Sequence, residues 1–173
     1  MEHPYRKPNR LKNHDYSQNG AYFITICVHN RKPILSRITM GETPGLQVPP
    51  RPILSPLGNI VQTQLLALPN RYQGLSIDHY VIMPNHIHIL LKLIQHEGTG
   101  GGSPSPTVFD IIRVFKSLTT RECKKISPID QLFQRSYYDH IIRDEYDYQI
   151  KWEYIDKNPE RWYEDSLYTE VND

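Results

Sequence analysis

The chain has 173 residues, enough for one ordinary domain with a real core. Its formal net charge of +1 gives no global basic signal for nucleic acid, and no apolar run approaches the ~20 residues of a membrane span. The polar N-terminus lacks the apolar core of a signal peptide, and the two distant cysteines, Cys27 and Cys123, form no ligand motif, so a reduced, cytoplasmic protein is expected.

Charge is distributed unevenly. Arg6, Lys7, Arg10 and Lys12 make residues 1–19 a polar, basic arm, while acidic residues outnumber basic ones from Asp144 onward and leave an acidic tail over 160–173. Between them the chain reads as a single domain. Ala21 to His29, rich in β-branched and aromatic residues, predicts a first strand. Residues 40–52 are proline-rich and predict a loop. Ser55-Pro56 predicts an N-cap with proline at the first helical position. The helix that follows has apolar residues at Leu57, Ile60, Val61, Leu65 and Leu68 and ends at Pro69-Asn70.

Ile77 to Met83 and Asn85 to Leu93 predict two further strands, with a bend at Pro84-Asn85. His96 to Pro106 is a Gly/Ser/Pro-rich connector. Thr107 predicts a cap, with Asp110 at the capping-box position, for a helix whose stripe is Val108, Ile111, Ile112, Phe115 and Leu118. Leu132 to Ile142 predicts a fourth strand, and residues 144–158 a third helix stopped by Pro159. The order is strand, helix, strand, strand, helix, strand, helix. It predicts an α+β domain, a ferredoxin-like (RNA-recognition-like) βαββαβ sheet with helices on one face and an added C-terminal helix.

Two features carry chemistry. His86-Ile87-His88 places two imidazoles on one face of a strand, because residues two apart share a face. Ile87, Ile89, Leu91 and Leu93 fill the other face, which suits packing under the helices and leaves the histidines on the open side. Paired neutral imidazoles on a rigid strand suit a metal. In the last helix, Tyr148, Trp152 and Ile155 form one apolar face. Tyr154 lies roughly 130° from its centre, with Asn158 one turn on, and Asp147 and Lys151 share that side. Either Tyr154 or Asn158 alone reads as a surface residue; beside a His-x-His they read as a second half-site.

The segments MPNHIHIL (83–90), FQRSYYDHIIRDEYDY (133–148) and WEYIDKNPERW (152–162) resemble the single-tyrosine HUH transposases, above all the REP-associated tyrosine transposases. HDYSQNGAYFITICVHNRKPIL (14–35) is similar to the same family. The resemblance implies a ferredoxin-like sheet and residue roles at matching positions. His86 and His88 would bind a divalent metal, Mg²⁺ or Mn²⁺, with Asn158 as third ligand where many insertion-sequence members have Gln. Tyr154 would be the nucleophile. The implied activity is metal-dependent nicking and rejoining of single-stranded DNA through a 5′-phosphotyrosine intermediate at hairpin-associated sites. The implied setting is the nucleoid-associated cytoplasm, with single-stranded or hairpin DNA as partner and monomer and homodimer both open.

A phenol with a pKa of ~10 is a poor nucleophile when neutral, so such a site needs a cation to offset phosphate charge. Arg113, Lys116 and Arg135, with Arg10 and Lys12 in the arm, are the candidates for contacting DNA phosphates. His140 and Asp139 are expected in structural or supporting roles, and Tyr137 and Tyr138 are rival tyrosines without a carboxamide one helical turn away. Other readings fit less well. A histidine-triad hydrolase needs a third histidine where Leu90 stands, and a small oxygenase needs a carboxylate for which Asp78 or Asp139 is a loose candidate. The alternative kept is a non-catalytic, domesticated nucleic-acid-binding module on the same fold.

Overall fold

The computed structural model describes residues 19–43, 46–94 and 106–169. The basic arm, including Arg10 and Lys12, lies outside the described residues, as do most of the Gly-rich connector and the last four residues of the tail.

Among the described residues, six strands and three α-helices follow one another as β1 (Gly20–Cys27), β2 (Ser36–Thr43), β3 (Leu46–Leu54), α1 (Pro56–Leu66), β4 (Leu75–Ile82), β5 (His86–Leu93), α2 (Val108–Cys123), β6 (Tyr138–Ile141) and α3 (Glu145–Lys157). The main sheet has the order β4-β5-β1-β6, with every neighbouring pair antiparallel. That is the expected ferredoxin-like arrangement: the two central strands are flanked by the strand after α1 and the strand after α2.

Both caps form as the sequence predicts. Ser55 Oγ accepts from Gly58 N, and Thr107 and Asp110 make a reciprocal capping box. Alternation along β5 decides the layers. Ile87, Ile89 and Leu91 are fully buried in one cluster with Tyr22, Ile24 and Ile26 of β1, Val61 and Leu65 of α1, and Ile111, Ile112 and Phe115 of α2. Each such side chain contributes roughly 1.5–3 kcal/mol when removed from water.

Three expectations need correction. The predicted loop over 40–52 is part of a hairpin: β2 and β3 pair from Ser36 opposite Leu54 to Thr43 opposite Leu46, with a register shift between Thr39 and Gly41. Proline abundance pointed away from a strand. Pro49 and Pro50 fall at the register break, between Arg51 opposite Thr39 and Val48 opposite Gly41, where the ladder is interrupted and missing N–H groups are tolerated. The fourth strand is shorter than predicted. Only Tyr138–Ile141 pair with β1, although Val28 bridges Phe133 upstream.

The third correction concerns the face expected to be open. It is covered by α3 and the chain after it. A second cluster there joins Phe23, Val81, Met83 and Leu90 to Ile155 and Trp162, with Tyr148, Trp152 and Tyr168 against it. The predicted apolar edge of α3 is therefore the one that packs. Polar contacts fix the helix along its length. Tyr148 Oη donates to Asp78 Oδ2 at 2.9 Å, and His79 stacks on Trp152 at 4.3 Å and meets Asp156 at 2.7 Å. On the other side, His140 Nε2 lies 2.8 Å from Asp147.

Candidate active site

The register of the sheet builds the site. His86 lies opposite Cys27 and His88 opposite Thr25, with Val81 on the other side of His88. His86 and His88 are 0 % and 2 % exposed, and their rings meet edge to face with centroids 4.5 Å apart. Each Nδ1 is engaged, His86 with Asn85 Oδ1 at 2.8 Å and His88 with Thr25 Oγ1 at 2.9 Å. Both Nε2 atoms are buried and, among the described residues, have no hydrogen-bond partner.

Burial pushes the His86 pKa down to about 4, against the opposite pull of the Asp165 carboxylate and the Asn158 carboxamide. Burial also holds His88 well below the ordinary range, with His86 and Lys151 adding to the effect. Both rings are therefore neutral at pH 7, the form that ligates metals.

Helix α3 brings the second half. Ile155 packs inward, which leaves Tyr154 44 % exposed at the rim. Its ring meets His88 at 5.1 Å and Phe23 at 5.8 Å, both edge to face. Burial raises the phenol pKa, Asp165 raises it further, and Asn158 pulls it down. Asn158, the residue capping α3, is 4 % exposed, and its Oδ1 is buried without a partner among the described residues. The structure thus brings His86, His88, Tyr154 and Asn158 together.

Sequence reasoning missed a fifth group. Asp165, in the stretch read as an acidic tail, folds back into the site. Its Oδ2 accepts from Asn158 Nδ2 at 3.0 Å and lies 3.8 Å from His86 Nε2, while its Oδ1 accepts from Leu167 N at 2.7 Å. Ligand atoms of His86, His88 and Asp165 all lie within 4.8 Å of one another. The signal available in the sequence was the aromatic content of the tail, since Trp162 and Tyr168 have no reason to stay in water. Two neutral imidazole nitrogens and a carboxamide oxygen, all buried and unpartnered, together with a carboxylate, fit a divalent cation.

Two of the described cationic candidates do not gather here. Arg113 and Lys116 lie on α2, across the sheet from the histidines. Arg113 pairs with Asp110 at 3.3 Å, and Lys116 Nζ donates to the carbonyls of Gln134 and Arg135, with its pKa lowered by burial. Lys116 is thus a structural tie between α2 and the segment before β6, not a free phosphate partner. Arg135 is exposed beside it. Tyr137 packs against the helix-covered core, whereas Tyr138 is exposed on the histidine face.

Against known proteins, no protein-family model matches the chain. It is 34 % identical over 179 residues to an uncharacterized protein of Haemophilus influenzae, covering 96 % of this chain and 94 % of that one. The two belong to one family. Among solved structures, a REP-associated tyrosine transposase bound to a REP hairpin superposes with a TM-score of 0.58 at 17 % identity, covering 95 % of this chain and 92 % of that chain. The chain has the fold of the REP-associated tyrosine transposases. In this chain the histidine pair lies on a central strand of the sheet, β5, and α3, which carries Tyr154, packs against the face that bears it. No helix among the described residues is long and apolar enough to cross a membrane.

Proposed function

We propose that this protein is a REP-associated tyrosine transposase, a metal-dependent endonuclease and strand transferase acting on single-stranded DNA at hairpin-associated sites. One observation carries the reading. Three buried atoms with no hydrogen-bond partner among the described residues, His86 Nε2, His88 Nε2 and Asn158 Oδ1, belong to side chains gathered around Asp165 beside a half-exposed tyrosine. A packing role leaves such atoms uncompensated at a cost of about 1–3 kcal/mol each. A metal cradle uses all three. The fold shared with a hairpin-bound transposase supports DNA as partner.

His86, His88 and Asn158 would hold Mg²⁺ or Mn²⁺, with Asp165 adding negative charge at its edge. An ion held there would supply positive charge to offset that on a non-bridging phosphate oxygen. Tyr154 Oη attacks phosphorus, its proton passing to solvent, as the bond to the 3′ oxygen breaks and that oxygen leaves as a hydroxyl. The downstream strand stays on Tyr154 through a 5′-phosphotyrosine link. The diester count is unchanged, so rejoining needs no nucleotide cofactor. Phe23 and His88 fix the approach of the phenol ring.

The test is incubation with a 3′-labelled, hairpin-bearing oligonucleotide and Mn²⁺, followed by a denaturing gel. A labelled protein band, absent with chelator and absent in His86→Ala, is expected. Hairpin binding with no cleavage of any candidate DNA would favour the non-catalytic module.

A further inference from the structure

A groove of about 460 Å³ opens beside Tyr154, with Phe23, His88, Tyr138, Lys151 and Tyr154 among its walls. Lys151 lies three residues before Tyr154 on α3, on the same side of the helix. Its Nζ is 5.4 Å from the centre of the Phe23 ring. That ring also stacks on His88 at 5.2 Å and meets the Tyr154 edge at 5.8 Å. One aromatic ring therefore contacts an ammonium, a metal-site imidazole and the candidate nucleophile.

Lys151 has no ion pair among the described residues. The carboxylate one turn earlier on its side, Asp147, is taken up by His140 and the Arg143 amide. Tyr138, from β6, also lines the groove and is 55 % exposed, and its register partner on β1 is Thr25, the residue that bonds His88. An ammonium without an ion pair among the described residues and an exposed aromatic ring, lining one groove with Tyr154, match one nucleotide of a single strand: a phosphate and a base.

Resting on the function proposed above, we propose that this groove is the track for the nucleotide next to the cleaved bond. Lys151 anchors its phosphate and Tyr138 stacks on its base. The anchor faces the metal cradle across Phe23, so it sets where the strand lies relative to the attacking phenol.

The test is fluorescence anisotropy with a hairpin oligonucleotide carrying a single-stranded flank, in protein that also carries Tyr154→Phe so that no covalent bond forms. Salt is varied between about 50 and 200 mM. Lys151→Gln is expected to weaken binding roughly two- to tenfold and to reduce the salt slope by about 0.7, one phosphate contact on a single strand. Lys151→Arg restores the slope. Tyr138→Ser is expected to weaken binding about fivefold or more with the slope unchanged, because stacking releases no counterion. A Lys151→Gln protein with the parent slope overturns the phosphate anchor, and a Tyr138→Ser protein with the parent affinity overturns the base platform. The reduced slope in a protein whose Tyr154 form makes no adduct would sustain the groove and sink the cleavage reading alone.

Discussion

Asn85 Oδ1 lies 2.8 Å from His86 Nδ1, and the other end of the same carboxamide fixes what that contact means. Asn85 Nδ2 donates to the Leu167 carbonyl at 2.7 Å and to Thr169 Oγ1 at 3.1 Å. A carbonyl only accepts, so the amide nitrogen must face the tail and the amide oxygen must face the histidine. His86 Nδ1 then carries the proton, and Nε2 presents a bare lone pair to the site. One buried side chain sets the tautomer of a candidate ligand and ties the tail over it.

Replacing Asn85 separates these two duties. Asn85→Ala removes both and is expected to lower Mn²⁺ affinity by about tenfold or more, the usual cost of losing a group that orients a ligating histidine. Asn85→Asp keeps an acceptor for His86 and loses the bonds to the tail, so its affinity is expected to stay nearer the parent value. Isothermal titration with Mn²⁺ measures both. Equal losses in the two variants would show that the tautomer is set elsewhere.

Asp165 holds the tail by two hydrogen bonds, to Asn158 Nδ2 and Leu167 N. Asp165→Ala leaves both donors without a partner and is expected to cost about 1–3 kcal/mol of stability. Amide exchange locates the effect. Protection of the Leu167 amide should fall while that of β1 and β5 amides changes no more than global stability requires. An unchanged Leu167 protection would mean that Trp162 packing alone seats the tail.

Acid should destabilise the protein through the histidine pair. Burial pushes the His86 pKa from the ordinary 6.5 down to about 4, so below about 6.5 the unfolded chain binds a proton that the folded chain refuses. Stability is therefore lost as pH falls from about 6.5 to 4, by roughly 3 kcal/mol from this group, and His88 acts in the same direction. Urea denaturation at pH 7 and pH 4.5, with chelator present, should show that loss, and His86→Gln should shrink it. A parent protein that gains stability on acidification across this window would contradict the burial of both rings as neutral groups.

Gly58 allows the close approach of α1 to the chain leaving β1. A Cβ there would stand 2.0 Å from the Leu35 carbonyl oxygen, which itself accepts from Ser55 N at 2.9 Å. Backbone cannot swing aside as a side chain can. Despite its better helix propensity, Gly58→Ala is expected to cost about 1–3 kcal/mol, seen as a lower denaturation midpoint with unchanged slope. A stabilised variant would show that α1 sits further from Leu35.

Periodicity carried most of the fold. The alternation of β5 placed Ile87 and Ile89 under the helices and the histidines opposite, and the 100° spacing on α3 put Ile155 inside and Tyr154 at the rim. What the sequence concealed depends on distant contacts. The ladder between β2 and β3 overrode proline-rich composition, because strand pairing is decided by partners that composition does not name. Asp165 was hidden by its neighbours Glu160, Glu164 and Asp173, which read as a solvated acidic tail. It is Trp162, buried to 4 % exposure, that draws the segment inward and carries the carboxylate to His86. Lys116 looked like a free cation because its two carbonyl partners lie 18 and 19 residues on, beyond any local pattern.

The central claim is that Tyr154, and no other of the 12 tyrosines, becomes linked to DNA. Mass spectrometry of the protein–DNA adduct, after nuclease and protease digestion, tests it most directly. The predicted result is a nucleotide joined through its 5′ phosphate to the peptide containing Tyr154, with no adduct from Tyr154→Phe. A modified peptide carrying Tyr138 or Tyr137 instead, or an adduct that survives in Tyr154→Phe, would contradict the account.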